Sequence, residues 1–396
     1  MESRVSPCHI LQFGYDDSVF RAGSKSDTLS RQVAYGEVLE RLRPDSVVTI
    51  VIVTQLKTAT AFTRENVTFI PFCEDRRRWA KIAAWYRLYR LFHQIDCRRR
   101  VDVLTTQTVH DESWIALLFG KFNDRPVIGQ VHYDIFSPHV KAFLASGLIG
   151  KVRYAALLKG LKWFTGLRVV GKGIAREVIR RNANHRVHVI PVAMPMILKR
   201  PVSVIRRSLT VLFVGRLVEQ KDMKTWLDVA ELVARQSPQC HFRIVGDGPL
   251  HTELQERVDA KGMHNRVTFD GAIAYDKLSA YYESAAVLLL TSYSEGFGRV
   301  VAEALYHQLP VVAFRVTGVE DIIQDGESGF LHELGEKQAM ADSVLQLLNQ
   351  PITTDRMGKA GQEFVSKHFD PLMLSERWIG MLVASADGAM RERPAK

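Results

Sequence analysis

The chain has 396 residues, more than the roughly 250–300 that one hydrophobic core supports, so two domains are expected. It is 46% hydrophobic and 24% charged, with 26 Gly and 14 Pro, a globular balance that excludes disordered, collagen-like and mucin-like chains. The net charge of +10 is divided unevenly: residues 1–208 carry 34 Lys and Arg against 17 acids, and the remainder 19 against 26, so a basic half able to meet phosphate, nucleic acid or an anionic membrane precedes an acidic one.

The start, MESRVSPCHILQFGYDD, has neither the length nor the flanks of a signal peptide, and no apolar run reaches the roughly 18 residues of a spanning helix. The strand-like segments of the first half are His9 to Phe13, Val47 to Val53, Val67 to Ile70, Val101 to Thr105, Val127 to Val131, Arg168 to Val170 and Val187 to Ile190. Helical patterns lie between most of them. Then comes PVAMPMILKRPVSVIRRS, with three prolines, four basic residues and no helical periodicity, which places a linker at 196–208. The second half repeats the rhythm with strands at Leu209 to Val214, His241 to Val245, Val267 to Phe269, Val287 to Leu290 and Val311 to Ala313. Continuous apolar strands alternating with helices mean parallel sheets covered on both faces. Two doubly wound domains are therefore expected, 1–195 and 209–370, with ligands at the carboxyl ends of the strands. Cys8, Cys73, Cys97 and Cys240 have wide, irregular spacings and form no C-x-x-C pair, which fits reduced thiols in a cytoplasmic protein and neither a zinc cluster nor a disulfide framework.

The densest pattern is TSYSEGFGRVVAEALYHQLPVVAF, residues 291–314. A buried strand runs into the loop Glu295-Gly296-Phe297-Gly298, and a helix is expected from about Arg299. Glycines let backbone approach a ligand, and the new helix offers free N–H groups and a positive dipole end to phosphate. Glu295 on the loop and Glu303 just over one turn into the helix place carboxylates on either side of such a phosphate, as two sugar rings flanking a diphosphate would require. Taken singly, either glutamate is as well explained as a turn or surface residue. In VLFVGRLVEQKDMKTWLDVAELVA, residues 211–234, a strand ends in Gly215-Arg216 and Lys221 follows before a helix with Trp226, Val229, Ala230 and Val233 at core spacing. Two cations there could neutralise a diphosphate leaving group, although a lone Arg or Lys is more often solvated loop. In FRIVGDGPLHTELQERV, a Gly246-Asp247-Gly248-Pro249 turn separates strand from helix, with Pro249 expected at an early helical position.

Jointly, from about Leu209 to Phe330, these segments resemble the family 4 glycosyltransferases, retaining enzymes of the GT-B fold. That resemblance implies an α/β architecture of two doubly wound Rossmann-like domains facing a central cleft, the C-terminal one holding the nucleotide sugar. It implies that Glu295 binds hydroxyls of the donor sugar and Glu303 the nucleotide ribose. Gly296, Phe297 and Gly298 would offer backbone N–H groups, and Arg216 and Lys221 would clamp the diphosphate. Gly215 and Gly246 would lie beside the nucleotide, and Ile273 near the base. His132, ending the strand in VIGQVHYD, resembles the histidine that faces the donor sugar. Gly14 stands where the family often has a glycine pair near the acceptor. The helical stretch 371–390 is expected to return to the first domain, as is common in this fold. The chain departs from the family at Lys221-Asp222 (usually Lys-Gly), at Gln308 (often Gly), at Thr317-Gly318 (often Gly-Gly), and at Val192-Ala193 in place of Asn-Gly.

The resemblance implies hexosyl transfer from a UDP- or GDP-sugar to a glycan or lipid-linked glycan in cell-surface polysaccharide synthesis. No D-x-D occurs in the chain, so no metal and no resident cofactor is expected. A nucleotide-sugar binder without turnover and a GT-B epimerase are the alternatives; nucleic-acid binding is disfavoured by the interleaved α/β pattern and the acidic second half. Finally, residues 76–100 carry nine Arg and Lys against Asp96 alone, interleaved with Trp79, Ile82, Trp85, Tyr86, Leu88, Tyr89, Leu91 and Phe92. Residues 135–176 carry eight and no acid, with Val140, Phe143, Leu144, Leu148, Val152 and Ala155 near helical spacing. Such segments suit peripheral attachment to an anionic membrane, at the cytoplasmic face of the inner membrane. The competing reading is an ordinary core stripe with a solvated basic face.

Overall fold

The computed structural model describes residues 6–21, 26–74, 80–111, 113–193 and 209–388. They fall into two compact units, 6–193 with 371–388 in the first and 209–370 in the second. The linker expected at 196–208, Trp79 and the basic run Arg76 to Arg78 lie outside the described residues.

In the first unit, β1 (His9–Gly14), β2 (Val47–Thr54), β3 (Phe62–Arg64), β4 (Val67–Cys73), β5 (Val103–Thr106), β6 (Val127–Val131), β7 (Gly166–Val169) and β8 (Val187–Val189) form one sheet. Its order is β3-β4-β2-β1-β5-β6-β7-β8, parallel except for the β3 edge, which pairs antiparallel with β4. The helices are α1 (Asp27–Leu42), α2 (Ala80–Arg98), α3 (Ser113–Asn123), α4 (Pro138–Leu144), α5 (Gly147–Gly160) and α6 (Lys172–Arg180). The central strands are buried along their whole length, as a sheet covered on both faces requires. The chain moves outward from β1 to β2 and β4, then crosses back to β5. The loops after β1 and β5 therefore diverge and leave a crevice at their carboxyl ends.

The second unit repeats the plan. Its strands β9 (Thr210–Val214), β10 (His241–Val245), β11 (Val267–Gly271), β12 (Val287–Leu290), β13 (Val311–Phe314) and β14 (Gly329–His332) are ordered β11-β10-β9-β12-β13-β14, all parallel. The switch point lies between β9 and β12. Its helices are α7 (Met223–Gln236), α8 (His251–Ala260), α9 (Leu278–Ser284), α10 (Arg299–Tyr306), α11 (Lys337–Asn349) and α12 (Pro351–His368). Trp226 fixes α7 on this sheet: it is fully buried, packs edge-on against Phe213 and Phe242, and donates its indole N–H to the Leu289 carbonyl at 3.0 Å. Helix α13 (Pro371–Ala386) then packs on α1 and β5 of the first unit, burying Leu374, Trp378, Ile379 and Leu382.

Several details differ from the sequence expectation. Strands β3 and β14 were not expected. Val101, Val170 and Ile190 lie just outside the strands assigned to them. Pro249 sits in the turn before α8, not within its first turn. In α2, Leu88 and Phe92 are core residues, whereas Ile82 and Tyr86 are exposed, so only part of that stripe faces outward. In α4 and α5 none of the six apolar positions is buried; they are half-buried or exposed.

Candidate functional site

In the second unit the loops leaving β9 and β12 are joined. The Thr291 hydroxyl donates to the carbonyls of Lys221 and Asp222 at 3.1 and 3.0 Å, and the Gln220 amide to the Ser294 carbonyl at 2.6 Å. This brings Lys221 Nζ to 2.5 Å from Glu295 Oε1, an ion pair whose side chains are only 12% and 11% exposed. The two residues expected to hold the diphosphate and the sugar are thus each other's counter-charge. Arg216 stands exposed at the end of β9, with no ion pair among the described residues.

Glycines shape the floor. A Cβ on Gly246 (φ 135°) would lie 1.8 Å from the Gly215 carbonyl oxygen, so the ends of β9 and β10 touch backbone to backbone. Gly298 is the left-handed N-cap of α10 with φ 72° and no side-chain cap, leaving the first N–H groups of that helix uncapped by a side chain. Phe297 is buried against Phe369, and Gly296 and Gly298 on either side of it are buried as well. Gly318, at φ 87°, is required because a Cβ would meet the Gly296 carbonyl at 2.4 Å. Two departures from the family pattern keep the backbone a glycine would give: Asp222 and Gln308 are left-handed at φ 42° and 59°. Asp222 also caps α7 by accepting from the Thr225 N–H, a role open to Asp in that conformation.

Glu303 is buried, not a surface residue. Its carboxylate accepts from the Tyr282 hydroxyl at 2.8 Å and from Arg299 Nε at 2.7 Å. Burial first, and then the Glu303 charge, raise the Tyr282 pKa well above its usual value, so the phenol stays a donor. Arg299 lies over the Tyr275 ring, on the loop that follows β11 and Ile273; Ile273 is half-buried. Arg299, Tyr282 and Tyr275 were missed in the sequence, although Arg299 and Glu303 at i, i+4 were a visible signal.

In the first unit His132 follows β6 and lines a cavity of about 420 Å3 at the β1–β5 switch point, with Arg31, Tyr35, Gln107, Gln130 and Arg168. Burial, reinforced by the positive charges of Arg168 and Arg31, pushes its pKa down to about 3, so the imidazole is neutral near pH 7. Arg168 is itself buried: it donates to the Ile190 and Pro191 carbonyls at 2.9 and 2.6 Å and lies over the Trp378 ring. A charged residue within an apolar parallel strand was the sequence signal for it. Gly14 ends β1 where a Cβ would strike the Gln107 amide.

A second cavity of about 640 Å3 lies beside the first, lined by Tyr15, Thr108, His110, Asp111, Arg153 and the inner side of α4 and α5. Arg153 pairs with Asp111 at 2.6 Å. Among the described residues no cluster of three His, Cys, Asp or Glu is arranged to hold a metal, and no helix is long and apolar enough to cross a membrane.

Two Rossmann-like sheets with loops gathered at their switch points define the GT-B fold. A sucrose-phosphate synthase of Thermosynechococcus elongatus superposes with a TM-score of 0.80 at 20% identity, over 96% of this chain and 100% of that one. HepE of Anabaena, in complex with UDP and glucose, superposes with 0.71 at 17% identity, over 95% and 100%. Residues 198–364 match the family described as glycosyl transferases group 1, and this segment carries that family's signature. The alpha-D-kanosaminyltransferase of Streptomyces kanamyceticus is 32% identical over 149 residues, 38% of this chain and 39% of that protein. The 2-deoxystreptamine N-acetyl-D-glucosaminyltransferase of Niallia circulans is 27% identical over 183 residues, 46% and 47%. The chain thus spans less than half the length of these curated relatives.

Proposed function

We propose that the protein transfers a hexosyl unit from a nucleotide diphosphate sugar, UDP- or GDP-linked, to a hydroxyl of a lipid-linked glycan, with retention at the anomeric carbon and without a divalent metal. The role is one in cell-surface polysaccharide synthesis at the cytoplasmic face of the inner membrane. The observation that carries this reading is the joined loop pair at the β9–β12 switch point, with Lys221 on Glu295 and the glycine-capped start of α10 beside them. The group 1 match over the same segment, and relatives named as transferases, support it.

In the donor complex, the diphosphate takes Lys221 from Glu295, and the freed carboxylate accepts hydrogen bonds from hydroxyls of the sugar. Breaking the anomeric C–O bond leaves charge on the departing nucleoside diphosphate. Arg216, Lys221 and the α10 N–H groups stabilise that charge, each preorganised donor contributing about 2–4 kcal/mol. Glu303 accepts from ribose hydroxyls while Tyr282 and Arg299 hold it in place. His132, being neutral, can donate or accept a hydrogen bond in the cavity of the first unit without adding charge.

The test is a thermal-shift screen against UDP-, GDP- and ADP-sugars, followed by release of nucleoside diphosphate with an acceptor present. A donor at 100 times its dissociation constant stabilises by about 2.7 kcal/mol. Absence of a shift with every donor would overturn the reading, and a shift without acceptor-dependent release would leave a binder.

A further inference from the structure

We infer that α4 and α5 form a bilayer-docking hairpin, and that the 640 Å3 cavity behind them opens where the docked surface meets the headgroup layer. Phe143, Leu148, Ile149 and Val152 are 82%, 79%, 61% and 63% exposed. They lie on two short helices joined at Ala145–Ser146, with Gly147 left-handed at φ 68°. Isolated exposed apolar residues are ordinary in a soluble protein, but four large ones within ten positions form a patch that calls for a partner.

Charge names the partner. From 135 to 176 there is no acid, and Lys141, Lys151, Lys159 and Lys162 are exposed around the patch. Trp163, just past α5, is 57% exposed with the Lys121 ammonium over its ring. Large exposed apolar side chains on the same two helices as exposed lysines, with an exposed tryptophan just after them, match the interface of an anionic bilayer: the apolar groups enter the acyl boundary and the cations meet lipid phosphates. A second copy of the chain would bring these same lysines against each other.

The cavity adds direction. Phe143 and Ile149 belong both to the exposed patch and to the cavity lining. The lining also holds polar groups: His110, Thr108 and the Arg153–Asp111 pair. An amphiphile can therefore keep its tail along Phe143 and Ile149 while its hydroxylated head reaches these polar groups, without leaving the membrane. Only the fate of that amphiphile rests on the transferase reading; the docking does not.

The experiment is sedimentation of the full chain, without donor, on phosphatidylcholine vesicles with or without about 30 mol% phosphatidylglycerol, at low and high salt. The wild type is expected to pellet with the anionic vesicles only, and to be released by salt. The triple substitution Phe143→Ser, Leu148→Ser, Val152→Ser is expected to reduce pelleting at least about tenfold, with an unchanged melting temperature, because these side chains are exposed. Lys141→Glu with Lys151→Glu should reduce it as well. Wild type left in the supernatant with both lipids would overturn the proposal. So would a triple variant that pellets like wild type, or a wild-type dimer in light scattering that the triple substitution disperses. Donor-induced thermal shifts, measured on the same proteins, report the transferase reading separately, since the donor loops belong to the other unit.

Discussion

Replacing Lys221 by alanine isolates the joint between the two donor loops. In the wild type the ammonium and the Glu295 carboxylate are both about nine-tenths enclosed and 2.5 Å apart. Removing the cation leaves a carboxylate with little water and no counter-charge. Fully buried pairs lose about 3–5 kcal/mol on such a truncation, and the residual exposure here reduces the expectation to about 2–3 kcal/mol. For a unit of this size that is a fall in melting temperature of about 5–10 °C. Glu295→Ala should cost a similar amount, and the double substitution less than the sum, with a coupling energy of about 2 kcal/mol in a double-mutant cycle. The assay is donor-free thermal unfolding of the four proteins. An exposed pair would couple by about 0.2–1 kcal/mol. A coupling in that range would refute the enclosed latch and the claim that the donor must displace Lys221 from Glu295.

Glu295→Gln keeps the loop shape and should abolish transfer while the protein stays folded by circular dichroism; near-wild-type turnover would remove Glu295 from the chemistry. The depressed pKa of His132 means that the unfolded chain takes up a proton near pH 6.5 and the folded chain only near 3. This stability is therefore complete above pH 6.5 and is lost as the pH falls toward 3. The slope is at most about 1.4 kcal/mol per pH unit, and denaturant unfolding of His132→Gln should show a flatter pH dependence. At the left-handed Gln308, Gln308→Gly should be more stable than Gln308→Ala by about 1 kcal/mol; equal midpoints in denaturant would contradict the backbone argument. Transfer should survive EDTA, and loss restored by magnesium would contradict a metal-free reaction.

Much of the scaffold was legible because parallel strands are continuous apolar runs. Val127–Val131, His241–Val245 and Val287–Leu290 were bounded to the residue. The elements that escaped lack that signal. Phe62–Arg64 is a three-residue edge with two exposed side chains, and Gly329–His332 begins with a glycine pressed on the Val311 carbonyl. At the site, the glycine loop marked Glu295 and the strand end at Gly215-Arg216 marked Lys221, but their pairing is a long-range contact that spacing does not reveal. Spacing was equally blind in α4 and α5: apolar positions recur at helical intervals whether or not a core lies opposite, and only burial separates the two.

The return of α13 to the first unit has a consequence for synthesis. The second unit is one contiguous stretch, so it can complete itself as soon as it leaves the ribosome. The first cannot. Its last strand ends at Val189, and the helix that packs on α1 and β5 begins only at Pro371. At about 5–20 residues per second, the ~180 intervening residues keep that face waiting about 10–40 s. The half of the chain made first is thus the half finished last, and the face that α13 packs on stays uncovered until that helix is made.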